Sequence, residues 1–379
     1  MKLPFSKKAL QKISDKLRHR ERLTGEEELM FSAYREAHND ILNTYQSIIR
    51  QRLSRPKYKD VLFVQRLKRR PTIVNKLSER FSGMDLSRMH DIAGGRIIFP
   101  NLKLLKEFRE EFLNGQKRSK KFHRIRADKY DYIATPNPHT GYRGIHDVFE
   151  EITDDTIKAR IEIQYRTRIQ HAWATTCEIW DSNFADQTKF GKSSEKIQQF
   201  FKFISEFFAR MLEDSKFTSK SDIQLYTRIL SMENKYKILS RLRGLNVLKI
   251  LSHALPKNKK IHTTLLLLTK KVKETSIDFV IYQRLYQAMS AYSTKELTDP
   301  LEDNVLVRVG SKNELKKAYN NYFNDMNAFF SYWEKARKEF HKRHSISGKV
   351  LEKLLPVYRD LTVKEKEMFV QSKLKNAKE

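Results

Sequence analysis

The stretch IKARIEIQYRT, residues 157–167, decides how the chain is read. Ile161, Ile163 and Tyr165 fall on one side of it, while Arg160, Glu162, Gln164 and Arg166 fall on the other. A period of two marks a strand with one face in a core. Its second face, wholly polar, either borders solvent or lines a site. Downstream, TRIQHAWATTCEIWD (167–181) switches to helical spacing. Upstream, GGRIIF (94–99), YDYIA (130–134) and GIHDVFEEI (144–152) read as further strands, and NLKLLKEFREEFL (101–113) as a helix. The expected fold is α/β (α+β), a mixed sheet flanked by helices over residues 59–185.

Outward from this block, residues 6–53 carry Leu10, Ile13 and Leu17, then Phe31, Tyr34, Ile41, Tyr45, Ile48 and Ile49 at helical spacing, broken by TGEEE at 24–28. That break has the form of a capped helix start, so residues 1–58 are expected to form N-terminal helices that pack on the core. Residues 186–379 are expected to form a basic, mainly helical C-terminal α/β domain. Within it TTLLLLT (263–269) and NVLVRV (304–309) read as strands, each followed by a helical segment: SIDFVIYQRLYQAMSAY after the first, NELKKAYNNYFNDMNAFFSYWEKARKEF after the second. A small βαβα layer is expected there.

The chain has 379 residues and a net charge of +29, from 75 Lys and Arg against 46 Asp and Glu, which calls for a polyanionic partner. Only 11 Gly and 9 Pro are present, favouring long helices. One cysteine, Cys177, forms no intramolecular disulfide and supplies no CxxC pair for zinc. The start, MKLPFSKKALQKISDKLRHRERL, lacks the apolar core of a signal peptide, and no run reaches the ~18 apolar residues of a membrane helix. A cytoplasmic location with no membrane partner is expected.

Four segments hold residues fit for chemistry. Asp91 precedes Gly94, Gly95 and the run IIF, and Glu162 stands on the polar strand face. Two carboxylates held by a sheet can share a Mg2+ ion, which prefers oxygen ligands and phosphate; on spacing alone, surface carboxylates paired with basic residues are favoured. In RLKRRPTIVNKL (66–77), Arg66, Lys68, Arg69, Arg70 and Lys76 crowd the start of an expected helix. Converging cations suit a triphosphate, and a solvated helix face suits the same pattern. In TPNPHTGYRGIHDVF (135–149) Tyr142 can stack on a base or anchor a loop, and His146 can face a ligand or sit satisfied in the core. In GQKRSKKFHRIRADKY (115–130), Lys117, Arg118, Lys120, Lys121, Arg124, Arg126 and Lys129 interleave with Phe122, His123 and Tyr130. Seven phosphate contacts there on one RNA strand give a salt slope of about −5; a solvated basic loop has the same composition. The His90-Asp91 pair is discounted as a phosphohydrolase signature, because the upstream helices offer only His19 and His38. No GxxxxGK[ST] or GxSxG motif occurs.

Together these blocks resemble the synthetase domain of the RelA/SpoT family, ATP-dependent pyrophosphokinases that make (p)ppGpp. RLKRRPTIVNKL, DIAGGRIIF, DYIATPNPHTGYRGIH and EIQYRTRIQHAWA follow the order of the family's four motifs across about residues 60–175. The resemblance implies a nucleotidyltransferase-like sheet, Mg2+ on Asp91 and Glu162, and a base role for Glu162. It assigns ATP to Arg66, Lys68, Lys76 and Arg96, and the acceptor to Tyr142 and His146. It implies a diphosphate moved from ATP to the 3′-hydroxyl of GDP or GTP. Two positions depart from the family: Tyr130 and Asn137 stand where lysine is usual, and Lys129 or a residue of the basic loop is the expected substitute. The departures favour a second expectation, a toxin-like transfer to the tRNA 3′ end. A third is a non-catalytic RNA-binding protein on the same fold. Alarmone hydrolysis is not expected, because the family's hydrolase domain needs more chain before Asp91. NVLVRVGSKNELKKAYNNYFNDMNAFF is similar to a segment of longer stand-alone RelA/SpoT-domain proteins. Ribosome or RNA binding, oligomerisation, autoinhibition and an antitoxin partner are roles compatible with that half.

Overall fold

The computed structural model describes residues 6–80, 83–118, 122–152, 159–184, 195–236, 264–271, 276–282, 303–309 and 326–344, with isolated positions between 238 and 295. Two compact units emerge. The first comprises Met1–Tyr130, Ile145–Arg166 and Leu248–Tyr322; the second comprises Asp131–Gly144, Thr167–Val247 and Phe323–Glu379.

In the first unit, helices α1 (Lys7–Arg18) and α2 (Gly25–Leu53) bear out the helical spacing of the N-terminal segment. The TGEEE break is a capping box. The Thr24 hydroxyl accepts from Glu27 N–H at 3.3 Å, and the Glu27 carboxylate accepts from Thr24 N–H at 2.8 Å, satisfying donors the first helical turn leaves open. Strand β1 (Leu62–Leu67) leads into the short helix α3 (Arg70–Asn75) and a π-type turn at Lys76–Arg80. Strand β2 (Ala93–Phe99) is followed by α4 (Leu102–Lys117), then β3 (Phe122–Ile125), β4 (Ile145–Glu151) and β5 (Arg160–Thr167). Later in the chain come β6 (Thr264–Lys271), β7 (Ser276–Tyr282) and β8 (Asp303–Val309).

All eight strands form one mixed sheet in the order β3-β4-β5-β2-β1-β8-β6-β7. Three expectations fail here. The strands read as a separate βαβα layer instead extend the first sheet, with β8 antiparallel to β1 through Gln65↔Arg308 and Arg66↔Val307. SIDFVIY, read as helical, is β7, paired along its length with β6. Its run of branched and aromatic residues suits a pleated surface, and tertiary pairing outweighs the helical spacing. YDYIA is also no strand beyond a single bridge: Asp131 accepts from the N–H of Ile133 at 3.1 Å and Ala134 at 2.9 Å, bending the chain into a turn.

Alternation sorts the sheet into two faces. Ile161, Ile163 and Tyr165 are buried, as are Ile97, Phe99, Phe63 and Phe149, and they share a core with Tyr45 of α2 and Phe108 and Phe112 of α4. Gly95 faces this core, where an added Cβ would lie 2.9 Å from Ile163 Cδ1 and 3.1 Å from Phe63 Cε2. A larger residue there would force those side chains to shift. Register places Arg66, Gly94, Arg96, His146, Glu162 and Gln164 on the opposite face.

The second unit is helical: α5 (Arg168–Phe184), α6 (Glu195–Leu212), α7 (Asp222–Tyr236) and α8 (Asn327–Arg343). Phe207, Tyr226, Trp333 and Phe340 interlock at its centre, the Tyr226 and Phe340 rings 4.4 Å apart. Buried Cys177 belongs to the same core. Gly141 adopts φ +74°, and an added Cβ there would lie 2.7 Å from Lys202 Cα. Among the described residues, no helix is long and apolar enough to cross a membrane.

Candidate active site

The polar face of the first unit's sheet gathers most of the residues selected from sequence. Asp91 lies in the bend just before β2. Its Oδ2 accepts from Lys68 Nζ at 2.6 Å and its Oδ1 from Lys76 Nζ at 2.8 Å. Both lysines are presented by backbone that is itself fixed. Lys68 N–H donates to Ile92 O at 2.8 Å, tying the exit of β1 to the entry of β2, and Arg35 of α2 donates to Lys68 O at 3.0 Å. Lys76 opens the π-type turn, whose apolar side is Ile73 and Leu77 in the cluster with α1.

Burial alone raises a carboxyl's pKa, yet the two ammonium groups outweigh it and hold Asp91 well below the ordinary carboxylate range. Lys68 is pulled below its usual value, chiefly by burial against the opposing attraction of Asp91. Asp91 stays ionised at neutral pH.

Glu162 projects from the middle of β5. Its Oε1 accepts from Gln164 Nε2 at 2.7 Å and lies 3.5 Å from His146 Nδ1 on β4. Burial pushes this carboxyl up, the His146 charge and hydrogen bond bring it down, and Asp91 pushes it up; the net direction is down. Asp91 and Glu162 therefore feel one another electrostatically. Gln164 accepts from Arg96 Nε and Arg166 Nη2, each at 3.2 Å, so one amide aligns Glu162 with two guanidinium groups. Sequence reading placed Gln164 on the polar face without giving it a part; its signal was the alternation itself. His90, discounted in the sequence, also lies here. Burial first, then the charges of Arg160, Arg126 and Lys76, push its imidazole down to about 4, while Glu162 opposes them, so it is neutral at pH 7.

Arg66 ends β1 opposite Gly94, half-buried and without a hydrogen-bond or ion-pair partner among the described residues. It is on a strand, not on the helix expected for the cation-rich block. Arg70 of that block is taken up by the fold, donating to both oxygens of Glu28 at 2.6 and 2.7 Å.

Tyr142 belongs to the second unit, where it is 8% exposed and its ring meets Tyr132 at 5.5 Å and Trp173 at 6.4 Å. Lys129, in the first unit, is exposed. The basic stretch is not uniform. Arg124 pairs with Asp147 at 2.8 Å and Asp128 at 2.6 Å, so its charge is spent inside the fold. Lys117 and Arg118 are exposed at the end of α4, Arg126 is exposed after β3, and Lys120 and Lys121 lie outside the described residues.

For a metal, Asp91 and Glu162 supply hard oxygen donors. Among the described residues no group of three or more His, Cys, Asp and Glu is placed to hold an ion. Two carboxylates nevertheless fit Mg2+, which commonly takes one or two protein carboxylates and completes its shell with water and substrate phosphate.

Comparison with known proteins agrees with the motif order. The family described as the region found in RelA / SpoT proteins matches residues 65–183. Small alarmone synthetase 1 from Bacillus subtilis, in a crystal structure bound to its product pppGpp, aligns at 21% identity and a TM-score of 0.37, over 56% of this chain and 93% of its own. A GTP pyrophosphokinase family protein from Streptococcus pneumoniae aligns at 20% identity and a TM-score of 0.37, over 59% of this chain and 99% of its own. No curated protein matches. Residues 65–183, which contain Asp91, Glu162 and every cation placed around them here, are thus the part of the chain that is similar to RelA/SpoT proteins.

Proposed function

We propose that the chain moves the β,γ-diphosphate of ATP to the ribose 3′-hydroxyl of a guanosine nucleotide, GDP or GTP, releasing AMP. The observation that carries this reading is the clustering on one sheet face: a carboxylate held between two lysines, a second carboxylate aligned by Gln164, and Arg66 and Arg96 beside them. In the transfer, the 3′-oxygen forms a bond to the β-phosphorus, the bond from that phosphorus to the α,β-bridging oxygen breaks, and AMP leaves with the electron pair. Arg66, Arg96, Lys68 and Lys76 bind the triphosphate and meet the charge that builds on the leaving oxygen. Glu162, a carboxylate at neutral pH, accepts the hydrogen bond of the attacking hydroxyl. Because its pKa is low, it takes the proton only as the new bond makes that hydroxyl acidic. Mg2+ on Asp91 and Glu162, when bound, neutralises phosphate charge. His146 is proposed to adjoin the phosphates of the acceptor.

A second acceptor, the 3′ end of tRNA, is favoured by uncharged Tyr130 and Asn137 and by exposed Lys117 and Arg118. One experiment separates the readings. The protein is incubated with Mg2+ and ATP labelled on the γ-phosphate, with GDP, GTP or deacylated tRNA offered separately. Label on GDP or GTP is expected. Label on tRNA alone replaces the acceptor, and no label with RNA still retarded in a gel replaces catalysis with binding.

A further inference from the structure

The turn after β3 holds a contact that the transfer reaction leaves unused. Arg126 and Asp128 both adopt left-handed backbone, φ +50° and +58°, which is uncommon for residues other than glycine. Such geometry persists where its surroundings enforce it, and it collects at ligand sites. Here the enforcement is visible. Asp128 accepts from Arg109 at 2.7 Å and Arg124 at 2.6 Å, and both arginines also hold Asp147, which is buried in β4. The turn is thereby locked to the core through its acidic residue, and Arg126 is carried on it.

Arg126 is exposed and has no carboxylate partner among the described residues; its Nη1 donates to the Tyr130 hydroxyl at 3.1 Å. Tyr130 is in turn fixed to the site, since its carbonyl accepts from His146 N–H at 3.1 Å and His146 faces Glu162. One guanidinium donor is occupied by Tyr130, and the remaining fork matches phosphate oxygens. Arg124 of the same stretch is committed to carboxylates, and among the described residues no hydrogen bond ties the Lys129 side chain to the sheet.

We propose that Arg126, aimed by the Tyr130 hydroxyl, binds the 5′-phosphate of the acceptor nucleoside whose 3′-hydroxyl is attacked. This deepens the reading given above and rests on it for the word acceptor. A free nucleotide and the terminal residue of an RNA share this phosphate, and the test separates them.

Binding of guanosine, GMP, GDP, a short single-stranded RNA with a free 3′ end, and a non-hydrolysable ATP analogue is measured by titration calorimetry on the full chain. The proteins are the wild type, Arg126→Met, Arg126→Lys and Tyr130→Phe. Wild type is expected to prefer GMP and GDP to guanosine. Arg126→Met should weaken GMP and GDP on the order of tenfold or more, the size of a lost charge-assisted hydrogen bond, and leave guanosine and the ATP analogue unchanged. Arg126→Lys should retain part of the effect, and Tyr130→Phe should show a smaller loss in the same direction. A loss confined to the RNA would assign the phosphate to an RNA end. Equal losses for guanosine and GDP, loss of the ATP analogue, or no preference for phosphate in the wild type would overturn the proposal. Arg126-dependent GDP binding by a protein that transfers no label would instead sink the pyrophosphokinase reading and leave this anion site standing.

Discussion

Asp91 is the residue on which the site turns, because two ammonium groups share one carboxylate. Asp91→Asn keeps the shape and removes the charge, leaving Lys68 and Lys76 to repel each other. Diphosphate transfer is expected to fall at least a hundredfold, and stability by about 1–3 kcal/mol, measured by label transfer and by denaturant unfolding. Arg66→Met should behave differently. Arg66 has no partner to lose among the described residues, so the melting temperature should stay near that of wild type while the KM for ATP rises about tenfold or more. A large drop in stability would give Arg66 a structural role instead. Protonation sets the acid limit. His38 and His90 are held down to about 4, so the unfolded chain binds more protons than the folded one below an ordinary imidazole pKa of about 6.5, and stability should decline from there downward. Asp91 and Glu162 are held below their usual values, so their contribution is complete above about pH 4 and is lost as pH falls through the folded values. Denaturant unfolding at successive pH values should show both declines, with Asp91→Asn flattening only the lower one.

At the scale of the element, the two glycines of β2 have separable duties. Gly95→Ala puts a methyl against Ile163 and Phe63 and should cost about 1–3 kcal/mol, as overpacked cores do. Gly94→Ala meets only backbone oxygens of Arg66 and Glu162 at 3.7 and 3.9 Å, ordinary contact, and should fold normally. Equal melting temperatures for the two variants would contradict the assignment of faces. Most elements were legible in the sequence where one periodicity dominated: α1, α2, α4, β2, β4 and β5 carry a clean period of 3.6 or 2. The helical reading failed at SIDFVIY, because pairing along its whole length with β6 outweighs the local helical spacing. The strand reading failed at YDYIA because a single Asp131 side chain capturing two N–H groups bends a stretch of good strand formers.

For the molecule as a whole, the positive charge is less available than its total of +29 suggests. Arg124 and Arg70 are bound to carboxylates, so the basic stretch at 115–130 offers six cations in place of seven. RNA binding through that stretch should then show a salt slope no steeper than about −4 in retardation assays at graded ionic strength. A steeper slope would mean that cations elsewhere on the chain take part. The later strands matter at this scale too. β8 covers the edge of β1, which carries Arg66, and an uncovered edge is a template for aggregation.

By itself, the sequence determined the local chemistry: which strand has a polar face, which carboxylates and cations occur in family order, and where the helices are capped. Those features depend on neighbours a few residues away, and periodicity records them. Only the tertiary structure decided that Lys68 and Lys76 close on Asp91, that Gln164 aligns Glu162, that Arg124 is neutralised while Arg126 is exposed, and that strands some 200 residues downstream join the same sheet. Pairing between distant segments is set by register and by competition among like-charged side chains for a few carboxylates, and neither leaves a local signature.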